Sequence, residues 1–200
     1  MNIVPQSVEF KRVTPDALEL IEEAARTCYK SEDRIGPGTA EPMVRRLIKM
    51  GHESPLEHAS VTFRIICDRG VSHELVRHRL CSFSQESTRY VTYGKTDAIT
   101  VVQPPGLTAE QKYGWAIAMG SCQGMYMDLL RLGQSPQIAR SVLPNSLKTE
   151  LIMTANFREW RTIVRQRLSA GAHPQMKEVM RPIWDWFNTN YPVIVEDILP

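Results

Sequence analysis

Apolar and polar positions alternate through SVEFKRV, residues 7–13, the period-two pattern of a strand with one buried face. The period changes at once in TPDALELIEEAARTCY, where Thr14 is placed as an N-cap with Pro15 at the first helical position, predicting a helix to about Tyr29. SEDRIGPGTAEP reads as a loop, and Thr39 is placed to cap a second helix running to about Met50. Residues 59–69, ASVTFRIICDR, form a run of β-branched and aromatic residues that predicts a strand ended by Gly70, followed by a helix from Val71 to about Arg79. Between Thr108 and Leu132, Trp115, Met119, Cys122, Met125, Tyr126 and Leu129 recur at three- and four-residue steps. That spacing predicts a helix packed on one side, with its methionines in a core and not on a binding surface. Residues 146–157 are a second strand candidate, although their Leu, Lys and Glu also suit a helix. A helix in REWRTIVRQRL and a last one in HPQMKEVMRPIWDWFNTNYP follow, with Pro182 placed to kink the latter.

Helices interleaved with a few separated strands predict a mixed α+β fold and not a regular βαβ series. The 200 residues, 42% hydrophobic and 23% charged, supply the core of one domain spanning 1–200. A net charge of +2 falls short of the concentrated basic charge of a nucleic-acid binder, so the expected ligands are small and locally gripped. Cys28, Cys67, Cys81 and Cys122 form no C-x-x-C pair and no zinc-like spacing, and no secretory signal pattern precedes them. They read as reduced thiols of a cytoplasmic protein. No apolar run approaches the roughly 18 residues of a membrane span.

Several chemistries fail on spacing. Gly94-Lys95-Thr96 would need a glycine five residues before Gly94 to make a phosphate loop, and Arg89 stands there. HESPLEH opens like a zincin helix, but Leu56 occupies the place of the second histidine and Pro55 interrupts the helix, so no metal site is expected. GPGTAE lacks the third glycine of a dinucleotide fingerprint and no strand precedes it.

The informative anomalies are charged residues on apolar faces. Trp160, Ile163 and Val164 define the apolar stripe of their helix, and Arg167 continues it one turn on. A guanidinium keeps its charge, so at such a position it needs a carboxylate, phosphate or carbonyl partner, or must snorkel outward. His78 likewise falls on the face of Val71 and Leu75, between Arg77 and Arg79. Adjacent guanidinium groups repel unless an anion lies among them. With Ser82, Ser84, Gln85 and Ser87 supplying neutral donors and acceptors, VRHRLCSFSQESTRY suits a phosphorylated, carbonyl-rich small molecule. A solvated charged surface and a nucleotide- or RNA-binding module are the competing readings.

Arg77-His78-Arg79, seven residues, then Ser87 resembles the R-H-R-x7-S signature of the flavin-dependent thymidylate synthases. The resemblance extends to AARTCY, GHESPLEHASVTF, ARSVLPNSLKTELIMTANFREW and RQRL. It implies reductive methylation of dUMP to dTMP, with methylenetetrahydrofolate as carbon donor and FAD, reduced by NADPH, as hydride source. It also implies helices around a mostly antiparallel sheet, and a homotetramer whose active sites form between subunits. Carried over, the pattern assigns Ser54, Arg77, His78, Arg79, Asn156, Arg158 and Thr162 to the flavin, with His52 in the segment that reaches the flavin ring. Glu74, Arg77, Gln85, Glu86, Ser87, Thr88, Arg89, Arg140 and Arg167 are assigned to dUMP, Gln85 touching both ligands and Thr88 contributing through its backbone. Arg167 is the catalytic group, held against the uracil. Cys81 lies inside the signature at an open position and is read as a packing residue, and Ser87 as a substrate contact without a nucleophilic relay. The chain departs from the family pattern at Thr162, where other members often carry Asn or His, and in the longer link after Arg167.

Overall fold

The computed structural model describes residues 1–95 and 98–198; Thr96, part of the rejected phosphate-loop run, lies outside them. In chain order the elements are β1 (Asn2–Val4), β2 (Ser7–Val13), α1 (Ala17–Thr27), α2 (Ala40–Lys49), β3 (Ser60–Asp68), α3 (Arg69–Leu75), β4 (Ser82–Gln85), β5 (Thr100–Val102), α4 (Ala109–Arg131), α5 (Pro136–Ala139), β6 (Lys148–Asn156), α6 (Phe157–Arg167) and α7 (Pro174–Asn190). One sheet has the order β2-β3-β6-β4, and β1 pairs in parallel with β5. Phe157 N donates to Ala59 O at 2.9 Å and Arg69 N to Leu147 O at 3.1 Å, so β3 and β6 run antiparallel. The α+β class agrees with the expectation from the sequence.

The described residues fall into two compact units. The first comprises Met1–Ser7, Ile65–Arg77 and Ser84–Leu151. Its core gathers Ile99, Val101 and Leu147, with Met1, Tyr93, Trp115, Met119 and Leu143 packed against them. The helix expected around the methionine stripe is α4, started by a capping box in which Thr108 Oγ1 accepts from Gln111 N and Gln111 Oε1 from Thr108 N. Its stripe is only partly core: Tyr126 is buried, whereas Met125 is 54% exposed.

The second unit comprises Val8–Arg64, His78–Phe83 and residues 152–198. Along β6 buried and half-buried positions alternate throughout, which resolves the strand-or-helix ambiguity in favour of the strand. Phe63 meets Trp160 edge-on at 5.3 Å between ring centroids, and Phe157 meets Phe187 edge-on at 5.5 Å. α7 continues through Pro182 from Pro174 to Asn190.

Two helix boundaries differ from the sequence reading. α1 begins at Ala17 because Thr14 is engaged elsewhere, its Oγ1 accepting from Ser60 N at 2.9 Å, while Asp16 occupies the left-handed region at φ 48°. α3 ends at Leu75, so Arg77-His78-Arg79 is not helical; Arg77 N reaches only Glu74 O, the tightened i to i−3 contact of a closing turn. His78 is buried between two exposed arginines because its ring is held by side chains of α6.

Candidate functional site

In the first unit, Asp68 Oδ1 accepts from Val71 N at 2.7 Å and caps α3, whose end carries Glu74 and, just beyond it, the exposed Arg77. The segment from Gln85, the last residue of β4, to Arg89 is held from several sides. Gln85 Nε2 donates to Ser72 Oγ (2.9 Å) and Thr149 Oγ1 (3.1 Å), which fixes the amide and leaves its carbonyl oxygen as the remaining acceptor. Glu86 accepts from Lys148 Nζ at 2.8 Å and from the Tyr93 hydroxyl at 3.0 Å. Burial, with Glu86 beside it, pushes the Tyr93 phenol well above its ordinary range. Arg69 donates to Glu86 O at 3.3 Å and to Thr149 Oγ1 at 3.4 Å.

Ser87 closes a turn, its Oγ accepting from Arg89 N at 3.2 Å. Thr88 is buried and its Oγ1 accepts from Arg140 Nη1 at 3.4 Å. Arg89 donates to Gln137 Oε1 at 3.2 Å and lies over the Tyr90 ring at 5.3 Å. The structure therefore joins Arg140 to the serine-rich segment through Thr88, and the exposed guanidinium groups of Arg89 and Arg140 flank that segment.

In the second unit, His52, Ser54 and Arg158 line one cavity of about 370 Å³ together with Tyr29, Leu47, Gly51, Glu53 and Pro55. Ser54–His58 forms a short 3-10 turn and not the α-helix of a zincin. Arg158 also pairs with Glu57 at 2.5 Å. Asn156 is the N-cap of α6, its Oδ1 accepting from Glu159 N at 2.8 Å, which leaves the side-chain amide hydrogens for other partners. The Thr162 hydroxyl donates to Arg158 O at 3.3 Å, so its remaining capacity is that of an acceptor. Arg79 is exposed.

The residue continuing the apolar stripe of α6, Arg167, is half-buried, and its Nε donates to His78 Nε2 at 3.0 Å. His78 Nδ1 faces Glu159 Oε1 at 3.5 Å. Burial, helped by Arg167, holds His78 below the usual imidazole range, and burial pushes Glu159 above the usual carboxylate range. Burial, with Glu159 beside it, pushes the Cys81 thiol up to about 12, so this cysteine stays protonated at neutral pH, as a packing residue does. The fully buried arginine of α6 is a different one. Arg161, 1% exposed, makes a bidentate pair with Asp197 at 2.8 Å to each oxygen, a further contact to Glu53 at 3.3 Å, and a bond to Ile194 O.

Sequence reading missed Thr149, Lys148, Tyr93 and Glu159, which hold the candidate residues in place. One signal was present: Asn156-Phe157-Arg158-Glu159 spells an N-cap followed three residues later by Glu. Among the described residues no group of three or more His, Cys, Asp or Glu could hold a metal ion, and no helix is long and apolar enough to cross a membrane.

The fold is that of a known class: residues 10–193 match the family described as thymidylate synthase complementing protein. The flavin-dependent thymidylate synthase of Mycolicibacterium gilvum is 35% identical over 88% of this chain and 77% of its own length. Among solved structures, the flavin-dependent thymidylate synthase of Helicobacter pylori, complexed with FAD and dUMP, superposes with a TM-score of 0.81 at 25% identity, covering 97% of this chain and all of that one (100%). A UMP/dUMP methylase from Streptomyces cacaoi bound with 5-bromo-dUMP gives a TM-score of 0.83 at 25% identity over 98% and 96% of the two chains. The chain belongs to the flavin-dependent thymidylate synthase family.

Proposed function

We propose that residues 1–200 act as a single flavin-dependent thymidylate synthase domain that converts dUMP to dTMP by reductive methylation. Methylenetetrahydrofolate is the carbon donor and NADPH the reductant. The observation that carries this reading is the Arg167–His78 contact within a chain whose relatives catalyse that reaction. Bound FAD supplies the redox chemistry that an ordinary set of side chains lacks.

The residues present fit a flavin. The cavity of about 370 Å³ offers the His52 imidazole, the Ser54 hydroxyl and the Arg158 guanidinium beside the Tyr29 ring and Leu47, a lining suited to a flat ring system bearing carbonyls. His52, Ser54, Arg158 and the Asn156 amide would hold it, with Arg77, His78, Arg79, Gln85 and Thr162 as further contacts.

For dUMP, Arg77, Arg89 and Arg140 supply charge for the phosphate, with Ser87 and the Thr88 backbone as neutral donors. Glu74, Glu86 and the Gln85 carbonyl supply acceptors. Arg167 acts on the uracil: a guanidinium already held in place stabilises negative charge developing on a ring carbonyl or at N3 without reorganising. Loss of such a donor costs about 2.7 to 4 kcal/mol by analogy with oxyanion holes.

A homotetramer with active sites between subunits completes the proposal; the exposed Tyr113, Ile117 and Met125 on α4 support it as apolar surface that assembly would cover. A cytoplasmic setting is supported by the four free cysteines. The test is dTMP formation by the FAD-loaded protein from dUMP, methylenetetrahydrofolate and NADPH, with UMP as a competing substrate and Arg167→Ala as control. Absence of flavin binding and of dTMP would reject the reading in favour of a nucleotide- or RNA-binding module.

A further inference from the structure

Glu159 has no role in the reading above, yet it is a carboxylate only 8% exposed, on the first turn of α6, with its backbone N–H donating to Asn156 Oδ1 at 2.8 Å. It faces the histidine that holds Arg167. The arginine Nε always carries hydrogen, so the atom it bonds at 3.0 Å, His78 Nε2, must present a lone pair. A neutral imidazole has one such nitrogen, and the proton then sits on Nδ1. Nδ1 lies 3.5 Å from Glu159 Oε1, close enough for the two groups to interact but longer than an ordinary hydrogen bond, which a small side-chain adjustment would close. Glu159 and Arg167 stand eight residues apart on the same helix, about 12 Å of rise, and the His78 ring spans the interval between their side chains.

We propose that Glu159 is a positioning residue for the methylation of dUMP: it accepts from His78 Nδ1–H and thereby fixes the tautomer whose Nε2 orients the Arg167 guanidinium. The inference rests on the reading of Arg167 as the uracil-facing group. Without the Glu159 oxygen, the Arg167 bond alone favours the proton on Nδ1, and the tautomer is no longer fixed from both sides of the ring. With the proton on Nε2, two N–H groups would face each other and the bond that sets the direction of the Arg167 Nε–H would be lost. A guanidinium gripped through Nε has its plane fixed, and with it the direction of the terminal amino groups that recognise a carbonyl. Burial favours the neutral imidazole, which this arrangement requires. A carboxylate oxygen, the carbonyl oxygen of a neutral acid and the amide oxygen of glutamine can all serve as acceptor, so the role belongs to the oxygen and not to the charge.

The test compares Glu159→Ala, Glu159→Gln and Arg167→Ala in the FAD-loaded enzyme, with dTMP formation as one readout and 15N spectra of labelled histidine side chains as the other. Glu159→Ala is expected to lower kcat roughly ten- to a hundredfold, the range for losing the partner that orients a reacting group, with KM for dUMP within about twofold. Glu159→Gln is expected to keep most of kcat, and His78 to be protonated at Nδ1 in the wild type and in Glu159→Gln but to show a mixture of the two tautomers in Glu159→Ala. A wild-type His78 protonated at Nε2 overturns the proposal even if Glu159→Ala fails to fold. So does a Glu159→Ala enzyme with full kcat, or equal loss in both Glu159 variants with the tautomer unchanged. Arg167→Ala with undiminished turnover would instead sink the underlying reading of the site, whereas an inactive Arg167→Ala beside a fully active Glu159→Ala sinks the role of Glu159 alone.

Discussion

Arg167 Nε donates to His78 Nε2 across 3.0 Å, a contact between the last residue of α6 and the middle of the Arg77-His78-Arg79 run. Two residues that look misplaced when each is counted on its own helical face explain each other: the arginine has an acceptor and the histidine has a donor. The contact exists only while His78 is neutral, which makes it sensitive to pH.

The groups facing the His78 ring are Arg167 on one nitrogen and Glu159 on the other, and the ring's pKa lies below the ordinary 6.5 because of burial and then Arg167. Between that lowered value and 6.5 the unfolded chain binds more protons than the folded one. The stability due to a neutral His78 is therefore complete above about pH 6.5 and declines as pH falls through the folded-state pKa. The acid limb of kcat is expected at or below that window. Replacing Arg167 by Met should raise the His78 pKa towards 6.5, a change read by NMR titration of the histidine ring, and an unchanged pKa would remove Arg167 as a cause.

The Arg161–Asp197 pair makes a stability prediction. Arg161 is 1% exposed, and Asp197 gives it two bonds of 2.8 Å, so Asp197→Ala leaves a buried guanidinium short of its main partner. Breaking a fully buried pair costs about 3–5 kcal/mol; because Asp197 is 43% exposed and Glu53 stays within 3.3 Å, roughly 2–3 kcal/mol is expected here. Hydrogen bonding to Arg161 holds the Asp197 carboxyl below its ordinary 3.8, so its contribution is complete above that value and is lost as pH falls through the lowered folded-state pKa. Urea unfolding of wild type and Asp197→Ala at pH 7 measures the difference; equal midpoints would show that Glu53 and the Ile194 carbonyl suffice.

Cys81 sits within the signature, where a thiolate nucleophile would be a tempting assignment. Its thiol is raised to about 12 by burial and by Glu159, so thiolate is scarce at neutral pH. Cys81→Ala is expected to retain kcat within about threefold, and iodoacetamide should label Cys81 slowly. Loss of dTMP formation in this variant, with the fold intact by circular dichroism, would restore a chemical role for the sulfur.

The elements that the sequence made legible are those whose pattern is local. β2 begins and ends where alternation does, and β6 was a strand candidate even though its composition also suits a helix. Boundaries failed where a side chain is claimed by a distant partner: Thr14 bonds β3 instead of capping α1, and His78 is held by α6 instead of extending α3. β1 and β5 are three residues each and gain their identity from pairing with one another, which no window of either segment contains. The same distinction holds at the site. The arginines and serines proposed to face ligand were legible because donors concentrated in one stretch demand an explanation. Thr149 and Lys148, which hold that stretch, are ordinary residues of a strand, and only the fold brings them beside it.

Thr149 provides the last prediction because it is buried, uncharged and assigned no contact with ligand. Its Oγ1 accepts from Gln85 Nε2 at 3.1 Å and from Arg69 Nη1 at 3.4 Å, so one oxygen restrains both an amide proposed to face ligand and the guanidinium that braces the Glu86 backbone. Thr149→Val keeps the side-chain shape and deletes that oxygen. Gln85 then keeps only Ser72 as an acceptor for its amide and can rotate, which weakens dUMP binding without touching Arg167. Loss of one such bond is worth about 1 kcal/mol, or roughly a fivefold rise in the Kd for dUMP. Isothermal titration of the FAD-loaded variant with dUMP would measure it, alongside a kcat at saturating dUMP expected to stay within about twofold of wild type. A fall in kcat with unchanged affinity would mean that Gln85 orients the reacting ring in the transition state and does not simply hold the nucleotide.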